Sequence, residues 1–119
     1  MSTTKQRSLF REYLLGHKIG YPLSVFDAVS ARIADHLNID LGILGGSVAS
    51  AAILAAPDIM ILTLSELSDQ VQRICRVSNV SLMVDADHGY GNALNTIRTV
   101  QELESAGAAA ITIEDAALP

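Results

Sequence analysis

Two aspartates, Asp85 and Asp87, follow the apolar run SLMV (81–84), and a second acidic pair, Glu114 and Asp115, follows the apolar run ending at Ile113. Side chains alternate along a strand, so Asp85 and Asp87 are expected to point to the same side of a sheet. If the two runs pair, the second acidic pair lies about 5 Å away in the hydrogen-bonding direction. Carboxylates gathered this way repel one another unless a cation sits among them. Oxygen-only ligation selects a hard ion, Mg²⁺ or Mn²⁺, and no cysteine lies close by to favour a softer one. Mg²⁺ keeps several of its waters, so not every carboxylate has to touch it. Taken singly, any of these acids could cap a following helix or face solvent; their grouping favours the cation.

Other residues add to this constellation. Gly45, Gly46 and Ser47 end an apolar run and precede an alanine-rich segment. There, free backbone N–H groups can hold an anion such as a substrate carboxylate, or the glycines can serve a tight turn only. Asp58, in the APD triplet, caps the segment after Pro57 or belongs to the outer surroundings of the cation, with capping the simpler assignment. Asp27 reads as the cap of a helix beginning near Ser30. His88, directly after the acidic pair, is a candidate donor to substrate or to a metal-held water. His17 and His36 have no acidic or cysteine neighbours at ligand spacing, and Cys75 sits mid-helix as a core residue.

The elements that must position these residues alternate between helix and strand. Gln6 to Leu15 is predicted as an amphipathic helix, a lid or packing element ahead of the main fold. Ser24 to Phe26 follows as a strand, Ser30 to Leu37 as a helix and Leu41 to Leu44 as a second strand. Ala49 to Ala56 favours helix, whereas Ile59 to Leu62 reads equally well as a buried strand, and periodicity does not arbitrate. Thr63 with Glu66 forms a capping-box pattern that starts a helix running to about Val77. Ser81 to Val84 is an apolar strand, Leu94 to Ser105 a helix closed by Gly107, and Ala109 to Ile113 another apolar strand. Short apolar strands separated by helices belong to a parallel α/β sheet, either open and doubly wound or part of a (β/α)₈ barrel. Active sites in such folds lie at the C-terminal ends of the strands, where all these acids fall. A complete barrel takes about 250 residues, so 119 residues hold about half of one.

Composition sets outer bounds. The chain is 50% hydrophobic and 18% charged, as expected of a globular unit with a core. A net charge of −5 and the lack of a basic patch exclude the usual electrostatic basis for nucleic-acid binding. The single cysteine leaves no internal disulfide and fits a reduced cytoplasm. Arg11 and Glu12 interrupt any leader-like apolar run, and Pro57 with Asp58 break the stretch from Val48 to Leu64, so neither a signal peptide nor a membrane span is expected. No linker or repeat divides the chain, and 1–119 reads as a single partial domain.

DADHGYGNA (85–93), ITIED (111–115), LGGSVAS (44–50) and SVFDAVSARIA (24–34) together resemble the isocitrate lyase and phosphoenolpyruvate mutase superfamily. The pairing of DxDxGxG with a later IED is more specific than either piece. The histidine in DADHGYG and the LGGSVAS segment look most like the oxaloacetate decarboxylase branch. The resemblance covers about Ser24 to Pro119 and implies a (β/α)₈ barrel, of which this chain is the N-terminal half, with Mg²⁺ at its mouth and assembly as a homo-oligomer, commonly a tetramer. Carried over by residue, Asp85 is the direct metal ligand, Asp58, Asp87 and Glu114 hold metal-bound waters, and Gly46 and Ser47 bind the carboxylate of a small α-keto-acid substrate. It also implies that Ile59 to Leu62 is not a barrel strand.

The chemistry so implied is decarboxylation of oxaloacetate to pyruvate and CO₂ through an enolate stabilised by the cation. The same half-site would serve cleavage of a methylisocitrate-like substrate or phosphonopyruvate-type chemistry, and the fold alone does not choose. Family members continue beyond the equivalent of Pro119 into a catalytic loop and four more strands, so the remaining catalytic residues are expected there. A reading from another class is a non-catalytic remnant that associates with another chain to cover its strand edges.

Overall fold

A computed structural model of the chain describes residues 4–16 and 19–116. Its elements are α1 (Thr4–Leu15), β1 (Leu23–Ser24), α2 (Ala28–His36), β2 (Leu41–Leu44), α3 (Gly46–Leu54), α4 (Leu64–Cys75), β3 (Ser81–Asp85), α5 (Ala93–Ala106) and β4 (Ala110–Thr112). The strands form one sheet in the order β1-β2-β3-β4, with every pair parallel. Parallel neighbours require crossovers, and helices supply each of them. Sequential order, without the reversal of a doubly wound sheet, makes this the N-terminal half of a (β/α)₈ barrel. Leu44 pairs with Val84, and Val84 with Ile111, so the C-terminal ends of β2, β3 and β4 finish almost level.

The core explains why the helices lie where they do. Leu67, Val71 and Ile74 recur at helical spacing along α4 and are fully buried. They share one cluster with Leu44, Leu82 and Val84 of the sheet, Ala31 and Ala34 of α2, and Leu103 of α5. At Gly42 the layers meet too closely for a side chain: an added Cβ would lie 2.7 Å from Val80 Cγ1 and 3.0 Å from Val25 Cγ2.

The expectation of a lid or packing helix at the N-terminus resolves to packing. Arg7 donates to the carbonyls of Ala108 (3.2 Å) and Glu104 (2.6 Å), Ser81 Oγ to Gln6 O (2.9 Å), and Tyr13 to Asp40 (2.8 Å). Asp40, Ser81 and Ala108 lie where β2, β3 and β4 begin, so α1 closes the end of the sheet opposite the acidic residues.

Several boundaries differ from expectation for local reasons. The first strand is Leu23–Ser24 rather than Ser24 to Phe26, because Ser30 Oγ takes the N–H groups of Phe26 and Asp27. Asp27 does cap the next helix, but that helix begins at Ala28, with Ser30 completing a capping box. α3 begins at Gly46, directly after β2, so Gly46 and Ser47 belong to its first turn. Ile59 to Leu62 forms no strand: β2 pairs directly with β3, and Met60 takes a left-handed φ of 60° that breaks an extended run. α4 is capped by Thr63 and Glu66 as expected but ends at Cys75, and β4 is confined to Ala110–Thr112. α5 closes on Gly107 at φ 114°, the left-handed position that glycine alone occupies without strain.

Candidate metal and substrate site

The C-terminal ends of β2, β3 and β4 bring the acidic residues together, though not by the alternation expected of them. Asp85 is the last residue of β3, while Asp87 lies beyond the strand with φ 44°. Its own N–H donates to Asp85 Oδ1 at 3.1 Å, so a turn and not the strand pleat sets the pair. Glu114 and Asp115 likewise do not close a strand. Both lie past Thr112 and are exposed, and Glu114 is tied to the site by its N–H donating to Asp87 O at 2.7 Å.

Gly46 is the point of convergence. A Cβ built there would sit 2.9 Å from Asp87 Oδ1, 3.3 Å from Asp85 Oδ2 and 3.5 Å from Asp58 Oδ2. Glycine therefore lets three carboxylates crowd against the first turn of α3, where the helix dipole favours negative charge. The Gly46 N–H donates to Asp85 Oδ2 at 3.2 Å, and Ser47 Oγ donates to Asp58 Oδ2 at 2.7 Å. Capping was the simpler sequence reading of Asp58, and the structure corrects it. The next helix is capped by Thr63, and the Asp58 carboxylate turns instead to Ser47.

This crowding leaves an electrostatic mark. The buried Asp87 carboxyl is raised above its ordinary range by desolvation first, then by the charges of Asp85 and Asp58, with a smaller push from Glu114 and an opposing one from His88. Tyr90 is raised as well, by burial first and then by Asp87, Asp85 and Asp58. A divalent cation would relieve that repulsion, and an all-carboxylate donor set suits Mg²⁺ or Mn²⁺. Among the described residues no three acidic, histidine or cysteine side chains are already arranged as a set of direct ligands. What such an ion would meet is the all-carboxylate chemistry of Asp58, Asp85 and Asp87 around Gly46. The residues present thus fit a hydrated hard cation.

The remaining sequence candidates separate. His88 adjoins the acids, its Nδ1 is buried without a partner, and its ring is tilted 40° to Tyr90 with centroids 5.6 Å apart. Asp27 stays in its capping box on α2, and His36 lies at that helix's end. His17 lies outside the described residues. Burial pushes the Cys75 thiol up to about 11, which leaves it protonated and unreactive at neutral pH. Tyr90 is the residue that sequence reasoning missed: nothing in its spacing distinguishes a phenol beside the acids from one on the surface.

Comparison with known proteins places this geometry. The model of the phosphoenolpyruvate phosphomutase family matches residues 10–118. An oxaloacetate decarboxylase from Rhodopseudomonas palustris (strain BisB18) is 56% identical over 119 residues, covering 100% of this chain and 41% of the relative. Among solved structures, oxaloacetate acetylhydrolase superposes with a TM-score of 0.86 at 27% identity, covering 92% of this chain and 40% of that one. Phosphonopyruvate hydrolase, solved with oxalate and Mg²⁺, superposes with a TM-score of 0.84 at 28% identity, covering 96% and 40%. The chain spans about two fifths of the length of the curated relatives it matches. With the match extending over most of its length, the chain belongs to the phosphoenolpyruvate phosphomutase family.

Proposed function

We propose that the chain carries the cation-binding and carboxylate-binding part of an oxaloacetate decarboxylase. The convergence of Asp58, Asp85 and Asp87 on Gly46, in a chain 56% identical to a protein of that name, carries this reading. Asp85 is the direct ligand of Mg²⁺, with Mn²⁺ able to replace it. Asp58, Asp87 and Glu114 act through water, and the Mg²⁺ present in the phosphonopyruvate hydrolase structure supports the choice of ion. When bound, the ion supplies Lewis-acid stabilisation of the negative charge that develops as CO₂ leaves.

The chain's own residues bind and orient the substrate. Gly46 N–H and Ser47 Oγ, now donating to Asp85 and Asp58, sit at the positive end of α3 and are the donors a keto-acid carboxylate takes over. His88, next to Asp87 in the chain and with its buried Nδ1 unpartnered among the described residues, is the candidate donor to the substrate or to a metal-held water, and the residues that complete catalysis lie outside this chain. Residues 1–119 form one partial domain, a reading supported by its single sheet and single core. Hydrolytic cleavage of oxaloacetate is the second reading, favoured by the 0.86 TM-score to oxaloacetate acetylhydrolase but at half the sequence identity of the decarboxylase.

The test is pyruvate formation from oxaloacetate, with Mg²⁺ and with chelator and corrected for spontaneous decarboxylation, by a protein in which this chain replaces the matching 41% of the Rhodopseudomonas palustris relative. Chelator-sensitive turnover is expected, falling at least about 100-fold in Asp85→Ala. Equal rates with and without chelator would remove the assignment, and release of oxalate and acetate would move it to the hydrolase.

A further inference from the structure

Ser47 has one hydroxyl proton to donate, and two acceptors have a claim on it. Its Oγ donates to Asp58 Oδ2 at 2.7 Å, while the site assigned above needs the same hydroxyl for a substrate carboxylate. A Cβ built on Gly46 would lie 3.5 Å from that same Asp58 oxygen, beside the oxygens of Asp85 and Asp87. One carboxylate therefore belongs both to the acidic cluster and to the donor that a substrate needs.

Of the three acids, Asp58 is the least tied. Asp87 is buried, and Asp85 accepts from the N–H groups of Gly46 (3.2 Å) and Asp87 (3.1 Å). Asp58 is exposed on the connection between α3 and α4, flanked by left-handed residues at Ala55 (φ 52°) and Met60 (φ 60°). Among the described residues only the Ser47 hydroxyl donates to its carboxylate. When a substrate carboxylate takes that proton, Asp58 loses its donor and faces a second anion. By itself that exchange is unfavourable, because a charge-assisted hydrogen bond is given up and like charges are brought together. With a hydrated divalent cation among the acids, Asp58 gains water donors in place of Ser47, and both anions are offset.

We infer that Asp58 makes the carboxylate site conditional on the cation: it holds the Ser47 hydroxyl until a cation-held water replaces that bond, and only then is the proton released to substrate. This rests on the cation and carboxylate reading of the site, and the measurement keeps the two apart. Oxalate binding is followed by calorimetry, with chelator and with saturating Mg²⁺, in the full-length protein that carries this chain in place of the matching part of the Rhodopseudomonas palustris relative. The variants are Asp58→Ala, Ser47→Ala, the two combined, and Asp85→Ala.

With chelator, Asp58→Ala is expected to bind oxalate about 10-fold more tightly than the unaltered protein, and most of that gain should vanish when Ser47 is also alanine. The factor by which saturating Mg²⁺ tightens oxalate binding should fall about 10-fold in Asp58→Ala. An equal gain with and without the Ser47 hydroxyl would reduce Asp58 to a repelling charge and overturn the inference. Tightening by the same factor in the unaltered protein and Asp58→Ala would also overturn it, while loss of that tightening in Asp85→Ala would keep the metal assignment intact. Oxalate affinity insensitive to Mg²⁺ in the unaltered protein would remove the cation reading itself, and the inference with it.

Discussion

Gly46 occupies a position where one methyl group would meet three carboxylates at once, the nearest at 2.9 Å. Asp87 Oδ1 is the end of a short side chain that is buried and tethered through its backbone, so it can move aside only by leaving the cluster. The helix would gain from the same methyl, because alanine is favoured over glycine within helices by about 0.5–1 kcal/mol. Gly46→Ala is therefore expected to keep or slightly raise thermal stability while sharply weakening Mn²⁺ binding and chelator-sensitive turnover. Native metal affinity in this variant would show that the convergence at Gly46 does no work. The acids themselves were legible in the sequence, and a cation among them is the expectation they raise. The convergence was not, because Asp58 comes from the loop after α3, and Asp87 reaches the site through a left-handed turn that strand alternation does not describe.

Three helices, α2, α4 and α5, begin where side chains satisfy the free N–H groups of the first turn, and such signals are local enough to read in advance. The capping boxes of Thr63 with Glu66 and of Asp27 with Ser30 both form. At Asp27 the backbone N–H of Ser30, followed by the Ser30 side chain, holds the carboxyl below its ordinary value of 3.8, against a smaller opposing effect of burial. A carboxyl depressed in the folded state binds fewer protons there than in the unfolded chain. Its contribution to stability is thus complete above the ordinary value and disappears as pH falls through the depressed one. Asp27→Asn preserves a cap of similar quality but lacks that titration. The unfolding temperature of the natural chain is expected to exceed that of Asp27→Asn by a constant margin at pH 6–7, and the margin should shrink on acidification below about pH 4. A margin independent of pH would mean that the charge on Asp27 does not stabilise α2.

At the level of the whole molecule, one core holds every element that carries the site. Leu82 is fully buried at the centre of the sheet, on a strand paired on both sides, and belongs to the same cluster as α4 and α5. Leu82→Ala is expected to lower stability by about 2–5 kcal/mol, read from urea unfolding. The metal affinity of the molecules that remain folded should be unchanged, since Leu82 touches none of the carboxylates. A loss of affinity equal to the loss of stability would tie metal binding to the integrity of the sheet. Among the described residues the sheet leaves β1 and β4 as its edges, and apolar side chains are exposed on α2 (Val29, Ile33) and α5 (Leu94, Ile97). Edges and faces of this kind are suited to being covered by further structure.

The α/β class and the alternation of strands with helices followed from the sequence alone, because periodicity, capping boxes and Gly107 act over a few neighbouring residues, whereas the half barrel came from the resemblance to a known superfamily, and the order β1-β2-β3-β4 agrees with it. The expectation of a hard cation also followed from the sequence, since the repulsion of closely placed carboxylates is relieved by one. Tertiary structure alone decided that α1 closes the far end of the sheet, that Asp58 turns to Ser47, and that Tyr90 leaves its hydroxyl buried without a partner among the described residues. Each of these depends on parallel crossovers that bring distant segments side by side, or on left-handed backbone at Tyr90 that local propensity disfavours.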